Sequence, residues 1–392
     1  MYRLTTYTIA LHFIFGCSTT PPSDTAVSSV CNTVLKAGNS NCDLSLQGRV
    51  TTIAGGSSGT TASGDTDSAG NSGRFNFPYG VTTDGSYLYI ADMGNNKIRR
   101  VTISDGSITT LAGPSQGATT SGDADGAGNV ARFNNPGGIT TDGTNLYVAD
   151  SGNHKIRKLV IATGVVSTIA GPAPGATTFG DIDDIGHAAR FRSPIGITTD
   201  GTNLYVADQT NNKIRKIVIA SGVVTTFAGP AQGTTTGGDN DGVGNLARFS
   251  GPTTIVTDGN TLYVSDTNNH KIRKILVATA TVSTVAGAPA GTSTAGDQDG
   301  IGTAIRLNGP RGLALDATHL YIADTGNNKL RKMGLTSLNS SIVAGPAAGT
   351  TTSGDTDGTG ATGRFNYPAG LTTDGRAIYV IDHVTHKLRK LD

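Results

Sequence analysis

A constant 58-residue repeat, a composition rich in turn formers and four strand patterns in each repeat predict an all-β fold, a six-bladed β-propeller of four-stranded blades. The 392-residue chain contains 55 Gly and no Glu, so all 29 acidic residues are Asp. Asp and Gly favour turns, whereas Glu favours helices. One aspartate marks the repeat and recurs every 58 residues, at Asp92, Asp150, Asp208, Asp266, Asp324 and Asp382.

The second repeat shows the four strands in order. A polar loop at Gly122–Gly128 leads to the first strand pattern, Gly138–Asp142, and a Gly-Thr-Asn turn leads to the second, Leu146–Asp150. A Ser-Gly-Asn-His turn precedes the third strand, Lys155–Leu159, and the fourth is Val166–Gly171. Short runs rich in β-branched residues and bounded by Gly, Asn and Asp are typical of strands, and no helical period interrupts them.

The two ends of the repeat array predict how the ring closes. The array begins with a lone strand of the fourth type, Val50–Gly55, and ends after a third-type strand, Lys387–Leu391. The N-terminal strand should therefore complete the sixth blade. An open solenoid is the alternative, but it would need polar caps at its ends and would leave sheet edges exposed.

The first residues are typical of an export signal. Arg3 supplies a positive charge, Ile9–Phe15 is apolar but too short to span a membrane, and Ile14-Phe15-Gly16-Cys17 resembles a bacterial lipobox. We therefore expect a signal peptide at 1–16, a lipidated Cys17 and a cell-envelope protein at the outer membrane or cell surface rather than the inner membrane. An ordinary cleaved signal or an uncleaved anchor remains the alternative.

A tether and a small loop are expected between the signal and the propeller. Residues 17–43 hold a flexible segment rich in Ser, Thr and Pro, and the propeller occupies 44–392. If Cys17 is lipidated, Cys31 and Cys42 remain as an even pair in an exported protein, which predicts a disulfide between them. Two free thiols are the alternative.

The charge pattern excludes one class of partner. The net charge is +1, and eighteen of the 30 basic residues lie in six copies of one motif, such as Lys155, Arg157 and Lys158. A nucleic-acid-binding surface would gather its basic residues into a patch. We therefore expect no nucleic acid partner. We interpret these basic residues as solvated flanks of the strands, with charged groups that face water and aliphatic stems that pack on the protein surface.

Three separated segments of each repeat carry a family resemblance. Pro-x-Gly-Ile-x-x-Asp, then Leu-Tyr-Val-Ala-Asp-x-Gly-Asn-x-Lys-Ile-Arg-Lys, then Thr-Ile-Ala-Gly resembles the NHL repeat. The motif begins at Pro136 in the second repeat and recurs in all six, so that it covers nearly all of 50–392. The chain departs from the short form of that repeat by its extended Gly-Asp-x-Asp-Gly loop. The resemblance implies a six-bladed propeller with its loops crowded on one face.

The paired aspartates of these loops could bind calcium, because two carboxylates followed by Gly resemble the start of a calcium loop. No further acidic ligand follows, so the alternative is that they accept backbone N–H groups or pair with the arginine of the nearby Arg-Phe. These arginines are also candidates for the ligand face, and the three are Arg132, Arg190 and Arg248. The candidate metal ligands are Asp123, Asp125, Asp239, Asp241, Asp297 and Asp299.

Two further features bear on function. The six strand-end aspartates named above either cap tight turns or form a ring of carboxylates on the ligand face. His383 replaces a residue without an ionisable side chain in the last repeat and is the candidate site residue that breaks the pattern. Six-bladed enzymes related to this form, such as lactonases, gather Glu, Asp or His around a metal, and here no Glu is present and the histidines are scattered.

The sequence therefore favours a non-catalytic binding propeller. We expect a monomeric lipoprotein that binds a protein or glycan outside the cytoplasm, attached to the bilayer through Cys17 and needing no cofactor. A metal-dependent hydrolase or lyase at the channel mouth and a structural envelope-display protein are the alternatives, because propellers support all three roles.

Overall fold

Six antiparallel sheets surround one central channel. The computed structural model describes Leu44 and residues 46–392, and in this range every long element is a strand. The predicted six-bladed β-propeller is confirmed. The expected signal peptide, the expected lipidation site Cys17 and the pair Cys31 and Cys42 lie outside the described residues. Within the described range, no helix has the length and apolar character needed to cross a bilayer.

Each blade contains an inner, a second, a third and an outer strand. In that order, blade 1 has Pro78–Thr83, Tyr87–Asp92, Lys97–Thr102 and Ile108–Ala112; blade 2 has Pro136–Thr141, Asn145–Asp150, Lys155–Val160 and Val165–Ala170; blade 3 has Pro194–Thr199, Asn203–Asp208, Lys213–Val218 and Val224–Ala228. Blade 4 has Pro252–Thr257, Thr261–Asp266, Lys271–Leu276 and Thr281–Ala286; blade 5 has Leu313–Leu315, His319–Asp324, Lys329–Gly334 and Ser340–Ala344; blade 6 has Pro368–Thr373, Ile378–Asp382, Lys387–Leu391 and Arg49–Ala54.

Short elements complete the sheets and turns. Three blades add a two-residue strand outside the outer strand, at Gly126–Ala127, Gly242–Val243 and Gly358–Thr359. The 3-10 turns are Gly70–Ser72, Met93–Asn95, Gly128–Val130, Ser151–Asn153, Gly186–Ala188, Gln209–Asn211, Gly244–Leu246, Thr267–Asn269, Gly302–Ala304, Thr325–Asn327 and Gly360–Thr362.

The N-terminal strand closes the ring, as predicted. Arg49–Ala54 pairs with Lys387–Leu391, with Val50 opposite Leu391 and Thr52 opposite Arg389. The last blade therefore contains both ends of the propeller. This pairing covers the edge that the third strand of blade 6 would otherwise expose.

The apolar core lies between blades rather than inside a single sheet. Tyr89 and Ala91 of blade 1 pack with Leu146 and Val148 of blade 2, and all four side chains are buried. Equivalent clusters lie at the other five junctions. Because a blade can bury this surface only against its neighbours, the hydrophobic effect stabilises the ring as a unit.

The two ends of the channel differ. We call the face that carries the beginnings of the inner strands and the 3-10 turns after the second strands, such as Ser151–Asn153, the upper face. The opposite face carries the turns between the inner and second strands, such as residues 142–144, and we call it the lower face. The extended loops and the Asp-x-Gly-Asn turns lie together on the upper face because each inner strand begins beside the end of its second strand.

A hydrogen bond from each blade to the next ties the upper face together. His154 Nδ1 accepts the backbone N–H of Ser193 at 3.0 Å, and Asn96 Oδ1 accepts that of Asn135 at 2.8 Å. We call the six acceptors the clasp residues, and asparagine alternates with histidine around the ring: Asn96, His154, Asn212, His270, Asn328 and His386. Since each histidine accepts at Nδ1, it is neutral in this arrangement.

Glycine allows the inner strands to pack closely at the channel. A Cβ on Gly138 would lie 2.2 Å from the carbonyl oxygen of Ile195, and one on Gly196 would lie 2.3 Å from that of Thr253. Blade 4 has Thr254 in place of this glycine. The inner strand of the next blade, blade 5, is shorter than the others and covers only Leu313–Leu315.

Candidate functional site

A buried ionic network occupies the upper half of every blade. In blade 2, Arg157 has no exposed surface and donates to Asp150 at 2.7 Å and to Asp125 at 2.7 Å. Lys155 is equally buried and pairs with Asp123. The interpretation of these basic residues as solvated flanks is wrong for the first two positions of the motif. They are buried because the extended loop brings two carboxylates over the third strand.

The other five blades repeat this network. The arginine equivalent to Arg157 contacts a strand-end aspartate in each of them, and burial is the largest influence on these carboxyl groups. In blade 2, burial raises the pKa of Asp150 to about 6, although the charge of Arg157 acts in the opposite direction. The same competition raises the pKa of Asp382 in blade 6 to about 7.

The strand-end aspartates therefore lie inside the blades and not on a ligand surface. Asp150 accepts the backbone N–H of Asn134 at 2.8 Å and the side-chain amide of Asn153 at 2.8 Å, besides its pair with Arg157. These contacts do not fit a ring of carboxylates facing a ligand. They also differ from a simple turn cap, because Asp150 makes no side-chain hydrogen bond to the backbone of the 3-10 turn that follows it and instead bonds to the preceding loop and to the side chain of Asn153. The carboxylates with no exposed surface are Asp92, Asp150, Asp208, Asp266, Asp324 and Asp382.

The candidate metal ligands are likewise engaged with protein groups. Asp123 accepts the N–H of Gly175 at 2.8 Å besides Lys155, and Asp125 accepts the N–H of Thr168 at 3.0 Å. Asp239, Asp241, Asp297 and Asp299 likewise pair with the equivalent lysine or arginine of their blades. Within the described range, no cluster of three potential metal ligands is present.

The expected pairing of these aspartates with the Arg-Phe arginines is wrong. Arg132 donates to the backbone carbonyl oxygens of Asn129 at 2.6 Å and Ala131 at 2.8 Å, so it caps the 3-10 turn at Gly128–Val130. Arg190 and Arg248 do the same in the next two blades. These three arginines hold the loop in shape, and the carboxylates pair with the third strand instead.

A cavity of about 420 Å³ fills the channel towards the lower face. Threonines such as Thr140 and Thr198 line it, and turn aspartates such as Asp142 lie at its rim. Asp142 accepts the hydroxyl of Tyr147 at 2.9 Å. Burial opposes the ionisation of Asp142, but the hydrogen bonds from Asn145, Thr144 and Tyr147 outweigh it and lower the pKa. In blades 1, 2, 3, 5 and 6, the Leu-Tyr tyrosine thus anchors this turn as well as packing in the core.

The channel is obstructed near the upper face. Tyr79, Ile195 and Ala369 pack together there, although they belong to blades 1, 3 and 6. Arg311 of blade 5 reaches towards this plug, and its guanidinium donates to the Tyr79 hydroxyl at 3.0 Å and lies 5.0 Å from the centre of the Tyr367 ring. The upper mouth is therefore built from residues that differ between blades.

Aromatic rings surround this arginine. The ring centre of His383 lies 5.3 Å from that of Phe77 and 5.6 Å from that of Tyr367. His383 Nδ1 lies 2.9 Å from the carbonyl oxygen of Pro78, and burial followed by the charge of Arg311 lowers its pKa. In the described part of the chain, no ion pair joins His383 to an aspartate. We call this group the mouth cluster: Phe77, Tyr79, Arg311, Tyr367 and His383.

Two rings of the mouth cluster are held in a costly backbone conformation. Phe77 has φ +47° and Tyr367 has φ +64°, the left-handed region that bulky residues avoid. The equivalent residues of blades 4 and 5 are Gly251 and Gly309, with φ +57° and +54°. Left-handed backbone costs a non-glycine residue about 1–2 kcal/mol, so glycine would suit the fold better. Strain of this kind concentrates at functional sites.

Sequence reasoning found one member of the mouth cluster and missed four. His383 attracted attention because its chemistry differs from that of its equivalents. The other four lie directly before or after the repeated proline, at positions that differ from blade to blade inside an otherwise constant motif. That variation could have indicated the site. The three variable positions of each repeat, before the proline, after it and at the first residue of the 3-10 turn, meet at one end of the channel.

Comparisons with known proteins agree with the repeat pattern. The NHL repeat family model matches residues 133–159. The chain is 29% identical over 355 residues to NHL repeat-containing protein 2 of Gallus gallus, covering 81% of this chain and 46% of that protein. The chain is an NHL-repeat protein. It is also 30% identical over 276 residues to Protein SUPPRESSOR OF QUENCHING 1, chloroplastic, of Arabidopsis thaliana, covering 67% of this chain and 25% of that protein. This NHL-repeat chain thus spans less than half the length of these curated relatives.

Solved structures share the fold of this NHL-repeat propeller. A Bacteroides thetaiotaomicron protein of unknown function aligns with a TM-score of 0.64 at 19% identity, covering 88% of this chain and 75% of that one. An auxiliary nutrient binding protein of the same organism aligns with a TM-score of 0.62 at 15% identity, covering 88% and 76%. At these identities the likeness concerns the fold.

Proposed function

We propose that this chain is a non-catalytic binding propeller of the cell envelope, which holds a protein or glycan at the mouth cluster. The observation that carries the proposal is the strain at Phe77 and Tyr367. Four of the six equivalent positions hold Asn, Ser or Gly, which suit the left-handed backbone better than a bulky ring does. Aromatic rings at the other two, which lie in the neighbouring blades 1 and 6 and both beside His383, are accounted for by contact with a ligand.

The position of the rings supports the same conclusion. Phe77 is 43% exposed, which is unusual for a phenylalanine beside a well-packed core. The mouth combines apolar ring faces with a few polar groups, namely Arg311, the Tyr79 hydroxyl and His383, as ligand pockets commonly do. The likeness in fold to a protein named as an auxiliary nutrient binding protein is compatible with this role.

A double variant separates binding from folding. Phe77→Gly with Tyr367→Gly gives blades 1 and 6 the residue that blades 4 and 5 carry. Relief of the left-handed strain offsets lost ring packing, so we expect a free energy of unfolding within about 1 kcal/mol of wild type. The soluble propeller, residues 44–392, would be coupled to beads and exposed to envelope extract, and bound proteins and glycans would be identified.

The same components should be absent from beads that carry the double variant. The control is Arg192→Gln, which removes an exposed arginine that packs on Phe179 of the extended loop before blade 3, outside the mouth cluster. Equal recovery with wild type and the double variant would contradict a binding site at the mouth. The proposal would also be contradicted if wild-type beads recovered no envelope component specifically.

We further propose that Cys17 carries the lipid that holds this propeller on the membrane. A single acyl chain binds a bilayer with a constant of only about 10⁴ M⁻¹, whereas two or more chains anchor stably. Bacterial lipoproteins carry more than one, so Cys17→Ala should move the protein from the membrane fraction to the soluble fraction. Unchanged membrane association would show that another segment or a partner retains the protein.

A further inference from the structure

Arg311 is a partly buried cation that lacks a counter-ion. The six arginines of the blade networks each lie within salt-bridge distance of three aspartates, but in residues 46–392 no carboxylate lies within that distance of Arg311. Its guanidinium contacts the Tyr79 hydroxyl and the Tyr367 ring instead. Taking a charge out of water without an opposite charge is costly, so this arrangement favours the arrival of an anion.

The fold fixes the backbone that carries this arginine. Thr267 donates to the carbonyl oxygen of Pro310 at 2.8 Å, Ser265 donates to that of Arg311, and the N–H of Arg311 bonds to Ala323 at 3.0 Å. In blade 5 the regular inner strand begins only at Leu313, and the bond to Ala323 ties Arg311 to the second strand just before it. A side chain on a tethered backbone needs little reorganisation when it binds a ligand.

From these contacts we infer that the mouth cluster binds a sugar that bears a carboxylate, with Arg311 as its ionic partner. This inference rests on the proposed binding function and names the ligand class. A carboxylate fits the planar guanidinium, and a single cation matches a single negative charge. His383 adds no second positive charge, because burial and Arg311 lower its pKa.

The groups around Arg311 favour a sugar over a peptide. Phe77 and Tyr367 offer ring faces for the C–H faces of a sugar, while the Tyr79 hydroxyl and His383 Nε2 can bond to sugar hydroxyls. Peptides commonly bind by adding a strand to an open sheet edge. That mode is blocked at this level of the channel, because neighbouring inner strands approach so closely that a Cβ on Gly80 would lie 2.4 Å from the carbonyl oxygen of Gly137.

The test uses trisaccharides of galacturonate, glucuronate and mannuronate together with their methyl esters. Each ester keeps the sugar ring and removes the charge. By calorimetry, we expect at least one acid to bind the soluble propeller about tenfold or more tightly than its ester. Arg311→Gln should weaken that acid about ten- to one-hundredfold and leave the ester unchanged. Tyr79→Phe should weaken the binding of both the acid and the ester. The control Arg192→Gln should change the binding of neither.

The comparison of acid with ester uses wild-type protein, so it stands even if Arg311→Gln fails to fold. Equal binding of acid and ester, no binding of any uronate, or tighter binding of a peptide carboxylate than of every uronate would overturn the inference. If Phe77→Gly with Tyr367→Gly abolishes capture of envelope components while Arg311→Gln does not, the binding function stands and the ligand class is wrong. If neither variant changes capture, both proposals fail.

Discussion

Removing one buried arginine tests whether the ionic networks stabilise the blades. In Arg157→Met, the carboxylate of Asp150 loses a partner at 2.7 Å while both groups have no exposed surface. Breaking a buried pair in this way costs about 3–5 kcal/mol. Asp125 is 31% exposed and can recover water, so its loss adds little. The carbonyl oxygens of Arg132 and Ala124 also lose donors, at 3.0 Å and 2.7 Å.

We therefore expect Arg157→Met to lower the free energy of unfolding by about 4 kcal/mol. For a domain of this size, with an unfolding entropy that grows in proportion to its length, that corresponds to a Tm decrease of roughly 5 °C. Asp150→Asn with Arg157→Met should recover much of the loss, because it leaves no buried charge. Urea and thermal unfolding of the soluble propeller measure both effects.

The pH dependence gives an independent check. Burial already raises the pKa of Asp150 to about 6, and removal of Arg157 should raise it further. A carboxyl group whose folded-state pKa exceeds its unfolded value of about 3.9 has its full stability below that value and loses stability as pH rises through the folded pKa. The deficit of Arg157→Met relative to wild type should therefore grow from pH 4 to pH 8.

The matched control is Lys158→Met, one residue along the same strand and partly exposed. Its effect should stay within about 0.5 kcal/mol, as for most surface substitutions. The reasoning is refuted if Arg157→Met costs no more than this control. It is refuted equally if the double variant is no more stable than Arg157→Met, because the cost would then not come from an unpaired Asp150.

Three further predictions concern the clasp, the closure and the loops. Burial lowers the pKa of the clasp histidines, so the stability they provide is complete above about pH 6.5 and declines as pH falls from there towards their folded pKa. Replacing all three with the asparagine of the alternate blades should make the free energy of urea unfolding nearly constant between pH 7 and 5. An unchanged pH dependence would show that other groups cause it. Deleting residues 44–55 should expose the edge of blade 6 and give an aggregating or less stable protein, whereas an unchanged Tm would contradict closure by this strand. Calcium added to chelator-treated protein should leave Tm unchanged because Lys155 and Arg157 already occupy Asp123 and Asp125, and an increase of several degrees would show metal binding.

The sequence predicted the ring because periodic features survive without tertiary information. The constant spacing from Asp92 to Asp382 gave the number of blades, and the unpaired strand at Val50–Gly55 gave the closure. Both inferences need only a repeat and the rule that sheet edges are covered. The short inner strand of blade 5 was not predicted, because the repeat pattern of that segment resembles the other five and strand length depends on tertiary pairing.

The ionic networks were harder to predict because their partners are far apart in sequence. Lys155 and Asp123 are separated by 32 residues and belong to a strand and a loop, so neither residue alone indicates burial. Basic residues in strands are commonly solvated, and the sequence prediction followed that general tendency. The alternation in Lys-Ile-Arg-Lys, which places Lys and Arg on the same face of the strand, was given less weight. The signal present was the fixed 32-residue separation of lysine and aspartate in all six repeats, which is typical of paired groups rather than of independent surface charges.

One departure from the repeat connects the architecture to the mouth cluster. Where an inner strand has glycine at this position, it packs so closely on the inner strand of the next blade that a Cβ would clash with a carbonyl oxygen there. In that next blade, the residue after the proline lies within the strand. Blade 4 has Thr254 in place of that glycine, and in the next blade Arg311 lies just before the regular strand and extends to Tyr79 and Tyr367. Six internal networks and a closed apolar ring stabilise the fold, and this fold holds Phe77 and Tyr367 at left-handed φ. The symmetric parts of each blade therefore maintain the structure, whereas the positions beside the proline differ between blades and form the mouth cluster that we propose as the binding site.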